Sequence, residues 1–195
     1  MKLRRAQSGN CFRISGQTER RGDHVAIWCF WIYSFLGYLL EKSFAKLTHA
    51  ELQGRKCFLC LPLCPVYGLG MLAVLAAPQR NVVGQILWGA VAATAVEYVV
   101  HWLYEALFRV RFWDYSNLPG NLHGRVCLPF SVIWGGLTAG AVWLLQPGVK
   151  VLSARVPGEI TWLFLQVFTV DALLSAKQLW KTGDPESLRA DRWRN

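Results

Sequence analysis

Between Glu105 and Leu128 the chain gathers charged, amide and aromatic side chains more densely than anywhere else. This stretch carries Arg109, Arg111, Trp113, Asp114, Tyr115, Ser116, Asn121, His123 and Arg125. Asp114 and His123 are residue types that move protons, and an Arg fork suits carboxylates and other anions. Two apolar runs, each long enough to cross a bilayer, flank the stretch, and unsatisfied polar groups are costly beside hydrocarbon. Its spacing also predicts a folded loop. Asp114-Tyr-Ser116 suits a turn capped by the Asp side chain. Pro119-Gly120 marks a turn, and Gly124 permits a tight or left-handed backbone before Arg125 enters the next apolar run. Phe112-Trp113 reads as an anchor at the membrane–water interface.

Four acids lie in or against the apolar runs: Glu41, Glu97, Glu105 and Asp171. A charged group at the bilayer centre costs about 2.5–3.5 kcal/mol on insertion scales. A few Leu, Ile or Val residues, each favourable by about 0.3–0.6 kcal/mol, offset that cost. Each acid must then face the bundle interior, be protonated, or find a donor. Glu97 is the deepest. His101 and Glu105 follow it at i+4 and i+8, so the three share one helix face. That face could relay protons, offer metal ligands, or pack against another polar face. Arg125 is the natural countercharge for Glu97, Glu105 or Asp171. Ser34, Gly37, Tyr38 and Glu41 form a second polar stripe at helical spacing.

The elements that must position these groups are helices in a membrane. Of 195 residues, 53% are hydrophobic and 17% charged, and the mean hydropathy is +0.25. The charged share is below the usual quarter, and ten tryptophans suit interfacial belts. Apolar runs of about 20 residues predict five spans: 25–40 (reaching as far as 47), 57–77, 82–103, 126–145 and 160–176. A short turn at 78–81 and a connection starting at 146–150 separate them. The expectation is an all-α polytopic bundle over 25–176, with polar basic tails at 1–24 and 177–195. No secretory signal peptide is evident, so the first apolar segment is expected to be retained. The net charge of +9 sits in tails and connections, which favours anionic lipid and excludes a nucleic-acid partner. Lys and Arg near the spans favour the side bearing the 104–125 connection and the C-terminal tail, which puts the C-terminus in the cytoplasm.

Small residues at Gly136-x3-Gly140, at Gly89-x3-Ala93 and in Tyr67-Gly-Leu-Gly70 predict close helix contacts. Cys57, Cys60 and Cys64 are too few for a structural zinc site and read as small apolar side chains. No metal or cofactor site is expected.

These residues, taken in order, resemble the putative ABC-transporter type IV permease family of small bacterial integral membrane proteins. The resemblance rests on Tyr33-Ser-Phe-Leu-Gly-Tyr-Leu-Leu-Glu41, Cys64-Pro-Val-Tyr-Gly-Leu-Gly70, Glu97-Tyr98 and Trp113-Asp-Tyr-Ser116. Asn121-Leu-His-Gly-Arg125, Trp134-Gly135 and Asp171 complete it, over about residues 30–175. The chain departs from the pattern at Gly54-Arg55-Lys56 and Leu61-Pro62, and His101 lies outside it. The resemblance implies a bacterial inner-membrane permease subunit. No Gly-x4-Gly-Lys-Ser/Thr motif is present, so ATP hydrolysis would belong to a separate ATPase chain. A homo-oligomer would supply the symmetry that one chain lacks. An interfacial enzyme acting on a lipid-like substrate ranks second, because no nucleophile–base pair stands out and no catalytic residue is assigned. A non-catalytic membrane partner, whose polar groups only set helix register, ranks third.

Overall fold

The computed structural model describes the backbone of residues 4–47 and 57–188, and the side chains of residues 22–47 and 57–188. The helices are α1 (Arg4–Leu47), α2 (Pro65–Ala76), α3 (Val82–Phe108), α4 (Leu128–Gly140), α5 (Gln146–Arg155) and α6 (Gly158–Thr182). A π-helical turn, Ala141–Leu145, joins α4 to α5. The fold is all-α, and the sole β pairing among the described residues is an isolated Leu122–Val126 bridge.

Among the described residues four helical segments are long and apolar enough to cross a membrane: Gly22–Leu47, Val82–Phe108, Leu128–Arg155 and Gly158–Thr182. Their burial pattern inverts that of a soluble bundle. Ser34, Gln85, Glu97, His101, Thr138, Ser153, Asp171 and Ser175 are buried, whereas Val91, Leu144, Trp162, Leu163 and Leu173 are exposed. Apolar side chains turned outward and polar ones turned inward suit a hydrocarbon solvent.

The second pass differs from the span expected at 57–77. Helix α2 has 12 residues, about 18 Å at 1.5 Å per residue, too short for a core of about 30 Å. The chain instead descends without helix through residues 57–64 and becomes helical only at Pro65. Such backbone survives at membrane depth only when protein satisfies it. Here Asp171, midway along α6, accepts from the backbone N–H of Cys60 (3.2 Å) and of Leu61 (2.7 Å). Ser175 Oγ, one turn on, accepts from the Leu59 N–H at 3.0 Å. The Ser34 carbonyl in α1 accepts from the Cys64 N–H at 2.9 Å. Trp31, Cys57, Phe58, Leu63 and Cys64 close a buried apolar cluster around the segment, with Phe164 and Phe168 against it. Cys57 and Cys64 are buried, with sulfurs 3.6 Å apart, and behave as the small apolar side chains expected. Cys60 is exposed.

The fourth pass is longer than expected. Residues 146–150, which read as a connection, are helical and continue the span to Arg155. Pro147 cannot donate to the preceding turn, and the π turn before it absorbs the mismatch. Gln146, freed there, accepts from the Tyr33 hydroxyl at 2.7 Å and so ties α5 to α1.

Close contacts rest on particular glycines. A Cβ on Gly68 would lie 2.3 Å from Ser34 Oγ, and one on Gly37 would lie 2.2 Å from the Tyr67 ring, so α1 and α2 touch there. A Cβ on Gly89 would lie 2.0 Å from Thr138 Oγ1, and one on Gly135 would lie 2.7 Å from the Ile86 carbonyl, which brings α3 onto α4. The expected Gly136-x3-Gly140 contact is not made among the described residues, for a Cβ at either position meets none of them within 4 Å. Gly135 performs that packing one residue earlier, because its face and not the next one turns toward α3.

Asp171→Ala should leave two buried N–H groups without an acceptor and lower stability by about 3 kcal/mol or more, given about 1.5–3 kcal/mol for hydrogen bonds to charged groups. Asp171→Asn, which retains one oxygen acceptor, should lose less. Unfolding midpoints in detergent micelles measure the difference, and maleimide should label Cys57 and Cys64 faster in the Ala variant.

Candidate functional site

Glu97 lies about midway along α3 and is 3% exposed. The Trp134 indole N–H of α4 donates to its Oε2 at 2.8 Å. The Tyr115 hydroxyl of the 109–127 loop donates to its Oε1 at 3.1 Å. The Tyr67 ring of α2 packs edge-on against Trp134, with centroids 5.3 Å apart. The Tyr67 hydroxyl in turn donates to Glu41 Oε1 of α1 at 2.7 Å. One line of contacts, Tyr115–Glu97–Trp134–Tyr67–Glu41, thus joins four helices and the loop. Tyr and Trp are suited to it, since each offers an apolar body and one donor at its tip.

This line borders a cavity of about 240 Å³ lined by α1, α2, α3 and α4. Leu36, Gly37 and Leu40 form one wall and Leu137, Ala141 and Leu145 the other; Gly70, Met71 and Ala93 lie between them, with Glu97 and Trp134. The space exists because α1 and α4 barely touch each other, although α1 packs on α2 and α3 on α4. Among the described lining residues Glu97 alone carries a charge-bearing side chain.

The loop builds a second polar centre at the end of α3. Arg125 donates to Glu105 Oε2 through Nη2 at 2.9 Å and through Nε at 3.2 Å. Its Nη1 donates to the Tyr98 hydroxyl at 2.8 Å, and its guanidinium lies 5.1 Å from the Tyr98 ring centre. This pairing with Glu105 holds Arg125 protonated to higher pH than usual. Arg111 grips the other Glu105 oxygen. The Tyr98 oxygen lies 3.0 Å from His123 Nδ1. His101 is buried, with Nε2 2.9 Å from the Trp113 carbonyl and Nδ1 3.9 Å from Glu105. A carbonyl only accepts, so Nε2 carries a proton.

The loop itself folds on local bonds. Asp114 Oδ1 accepts from the Ser116 N–H at 2.9 Å and from the Ser116 hydroxyl, which together hold the Asp114 carboxyl below its usual value. Asn121 Nδ2 donates to the Ser116 and Leu118 carbonyls, each at 3.0 Å. The Trp113 indole donates to the Arg125 carbonyl at 2.8 Å, so Trp113 braces the loop. Gly124 has φ +69°, and a Cβ there would lie 2.5 Å from Ser116 Oγ.

Of the four acids singled out in the sequence, Glu97 and Asp171 are buried, and the site residues divide among three places. Glu97 lines the cavity and Glu41 joins its wall through Tyr67, Glu105 and Arg125 hold the loop, and Asp171 holds residues 57–64. Of the three carboxylates Arg125 was expected to serve, its recorded partner is Glu105. His123 and Arg125 meet on the Tyr98 hydroxyl, whereas Asp114 bonds to Ser116. Among the described residues no group of three or more His, Cys, Asp or Glu could hold a metal ion. Tyr67, Tyr98 and Trp134 were passed over as site residues, although each stands in a segment quoted for the resemblance. A hydroxyl or indole inside an apolar run was the clue, since a buried donor needs an acceptor.

Gly124→Ala should place a Cβ against Ser116 in a left-handed backbone, at a cost of about 1–3 kcal/mol, and limited proteolysis should cut the loop faster. Asp114 has a depressed carboxyl, so its contribution to loop order is present above the ordinary carboxylate range and is lost as pH falls through its lowered value. Protection of the loop against proteolysis should fall in that acid window, and Asp114→Asn should weaken the pH dependence.

No curated protein and no solved structure matches the chain. A family model does match, over residues 28–176, which takes in all four spanning segments in whole or part together with α2, the loop and both carboxylate networks. This multi-pass membrane protein belongs to the putative ABC-transporter type IV family.

Proposed function

We propose that the chain is the permease-type subunit of a transporter and that its substrate pathway runs through the cavity beside Glu97. One observation carries this reading: a carboxylate buried among membrane-length helices, oriented by Trp134 and Tyr115, borders a cavity of about 240 Å³. Intramembrane acids are otherwise avoided because of their cost, and those retained mark substrate or ion paths. Family membership supports a role in transport. The sequence has no phosphate-binding Gly-rich loop of its own, so a separate ATPase would drive the cycle.

In this reading the protein sits in the bacterial cytoplasmic membrane with its C-terminus inside. Val110, just past α3, packs with Leu179 of α6 and with Leu188 beyond it, so the 109–127 loop lies against the end of α6. That end is where an ATPase would dock, and a homo-oligomer would complete a symmetric pathway. Transport is favoured over interfacial catalysis because Asp114 turns to Ser116, His123 to Tyr98 and Arg125 to Glu105. His123 and Arg125 meet only through the Tyr98 hydroxyl, and Asp114 stands apart from both on Ser116.

Mild-detergent purification of the full chain from its own membranes should retain a P-loop ATPase, with ATP hydrolysis in the complex. Glu97→Gln should insert in normal amount and reduce that hydrolysis tenfold or more. If no ATPase is retained even after cross-linking, or if Glu97→Gln is fully active, the proposal fails.

A further inference from the structure

We infer that the cavity between α1 and α4 is a slot for one acyl chain of a bilayer lipid, which enters sideways from the hydrocarbon. The slot itself stands on the shape and lining of the cavity. Only its purpose rests on the permease reading, which it narrows to a substrate carrying an acyl chain.

The lining sets the chemistry. Leu36, Leu40, Val66, Met71, Leu137 and Leu145 present hydrocarbon. Tyr33, Tyr67, Trp134 and Thr138 also line the space, but their polar tips are engaged elsewhere. The Tyr33 hydroxyl donates to Gln146, the Tyr67 hydroxyl to Glu41, the Thr138 hydroxyl to the Trp134 carbonyl and the Trp134 indole to Glu97. Glu97 is held by that indole and by the Tyr115 hydroxyl. The lining therefore asks no hydrogen bond of a guest. Water settles in a cavity only with about two to four polar partners, whereas an apolar cavity of about 150 Å³ takes up benzene. This one holds about 240 Å³. An empty space forfeits the dispersion contacts of its walls. In a bilayer the surrounding solvent is hydrocarbon already, so seating a chain regains those contacts without desolvating a polar group.

The shape selects a chain over a ring. Tyr33, Leu36, Gly37 and Leu40 stand at i, i+3, i+4 and i+7 along one face of α1, a length of about 10 Å. Trp134, Leu137, Ala141 and Leu145 line the facing span over about 16 Å. The slot thus runs along the helices, as acyl chains run in a leaflet, and its length approaches the half of an about 30 Å core that one leaflet fills. The cavity volume spread over that length leaves it narrow, whereas a helix of a second copy is about 10–12 Å across. The way in is lateral. Leu40, Leu137 and Leu145 line the cavity and are also exposed on the outside. With α1 and α4 barely in contact, a chain can pass between them without unpacking the α1–α2 or α3–α4 contacts.

Photolabelling tests this with the full chain in phosphatidylcholine nanodiscs. A small share of the phosphatidylcholine carries a diazirine midway along one acyl chain, and peptide mass spectrometry locates the adducts. Tyr33 and Met71 are buried and line the cavity, so an inserted chain reaches them and ordinary surface lipid does not. Leu144, Trp162 and Leu163 are exposed and report surface lipid. Adducts are expected on both sets. Gly70→Leu should lower those on Tyr33 and Met71 at least tenfold and leave the outer ones unchanged. A Cβ at Gly70 meets only Ala93, at 4.0 Å, so the larger side chain fills the slot without striking backbone. Ala93→Leu, which fills it from α3, should do the same, and an unchanged unfolding midpoint confirms either fold. Undiminished inner labelling in a correctly folded variant overturns the inference. A phosphatidylglycerol probe with the same labelled chain should mark Tyr33 and Met71 equally; a tenfold preference for either head overturns the inference in favour of a head-group site. Inner labelling by a diazirine adamantane as strong as that by the chain overturns it in favour of a compact apolar guest. Adducts confined to outer residues overturn it outright, and a dimer broken by Gly70→Leu would then name a second copy as the occupant. Inner adducts in a chain that retains no ATPase uphold the slot while the permease reading falls; a retained ATPase with outer adducts alone does the reverse.

Discussion

A backbone N–H in hydrocarbon must find an acceptor, and in this bundle carboxylates and hydroxyls inside the helices supply what a broken helix cannot. The clearest case is Asp171. Its two oxygens take the N–H groups of Cys60 and Leu61, and Ser175 takes that of Leu59. Without them residues 57–64 would carry a cost of several kcal/mol for each exposed group. The half-length α2 depends on this arrangement. Because the chain reaches mid-depth in extended form, α2 begins beside Ser34 and leaves the space above it to side chains of α1, α3 and α4.

That space is where Glu97 operates. The same rule applies, with the roles reversed: here the acid is the costly group, and the indole of Trp134 and the hydroxyl of Tyr115 are its donors. Tyr115 belongs to the loop and Trp134 to α4, so the Glu97 site assembles only when the loop has folded onto the bundle. The loop in turn is anchored by Arg125 on Glu105 and Tyr98. Tyr115 thus ties the cavity carboxylate to the same loop that Arg125 anchors.

Much of this was readable before any coordinates. Apolar runs predict an all-α bundle, and the helix bounds of α3 and α6 agree with the runs at 82–103 and 160–176, each prolonged by several residues that are less apolar. The Asp114–Ser116 spacing predicts the turn that forms. Two stretches misled. Pro147-Gly148 carries the composition of a connection, yet a π turn one step earlier allows helix to continue through it. Residues 57–64 carry the composition of a span, yet they are not helical, because Asp171 far along the chain offers a better set of bonds. Gly136 and Gly140 have the spacing of a helix contact, but the rotation of α4 turns Gly135 toward α3.

The residue order alone determined that Glu41, Glu97, Glu105 and Asp171 would each need a hydrogen-bond partner, because the cost of a charge in lipid is set by the side chain and its depth. Which donor each acid meets was decided by tertiary structure. Arg125 could have answered any of three carboxylates within reach of a folded loop. Hydrogen bonds act over about 3 Å, so the choice fell to helix rotation and to the left-handed turn at Gly124, neither of which a linear pattern of polar and apolar residues encodes.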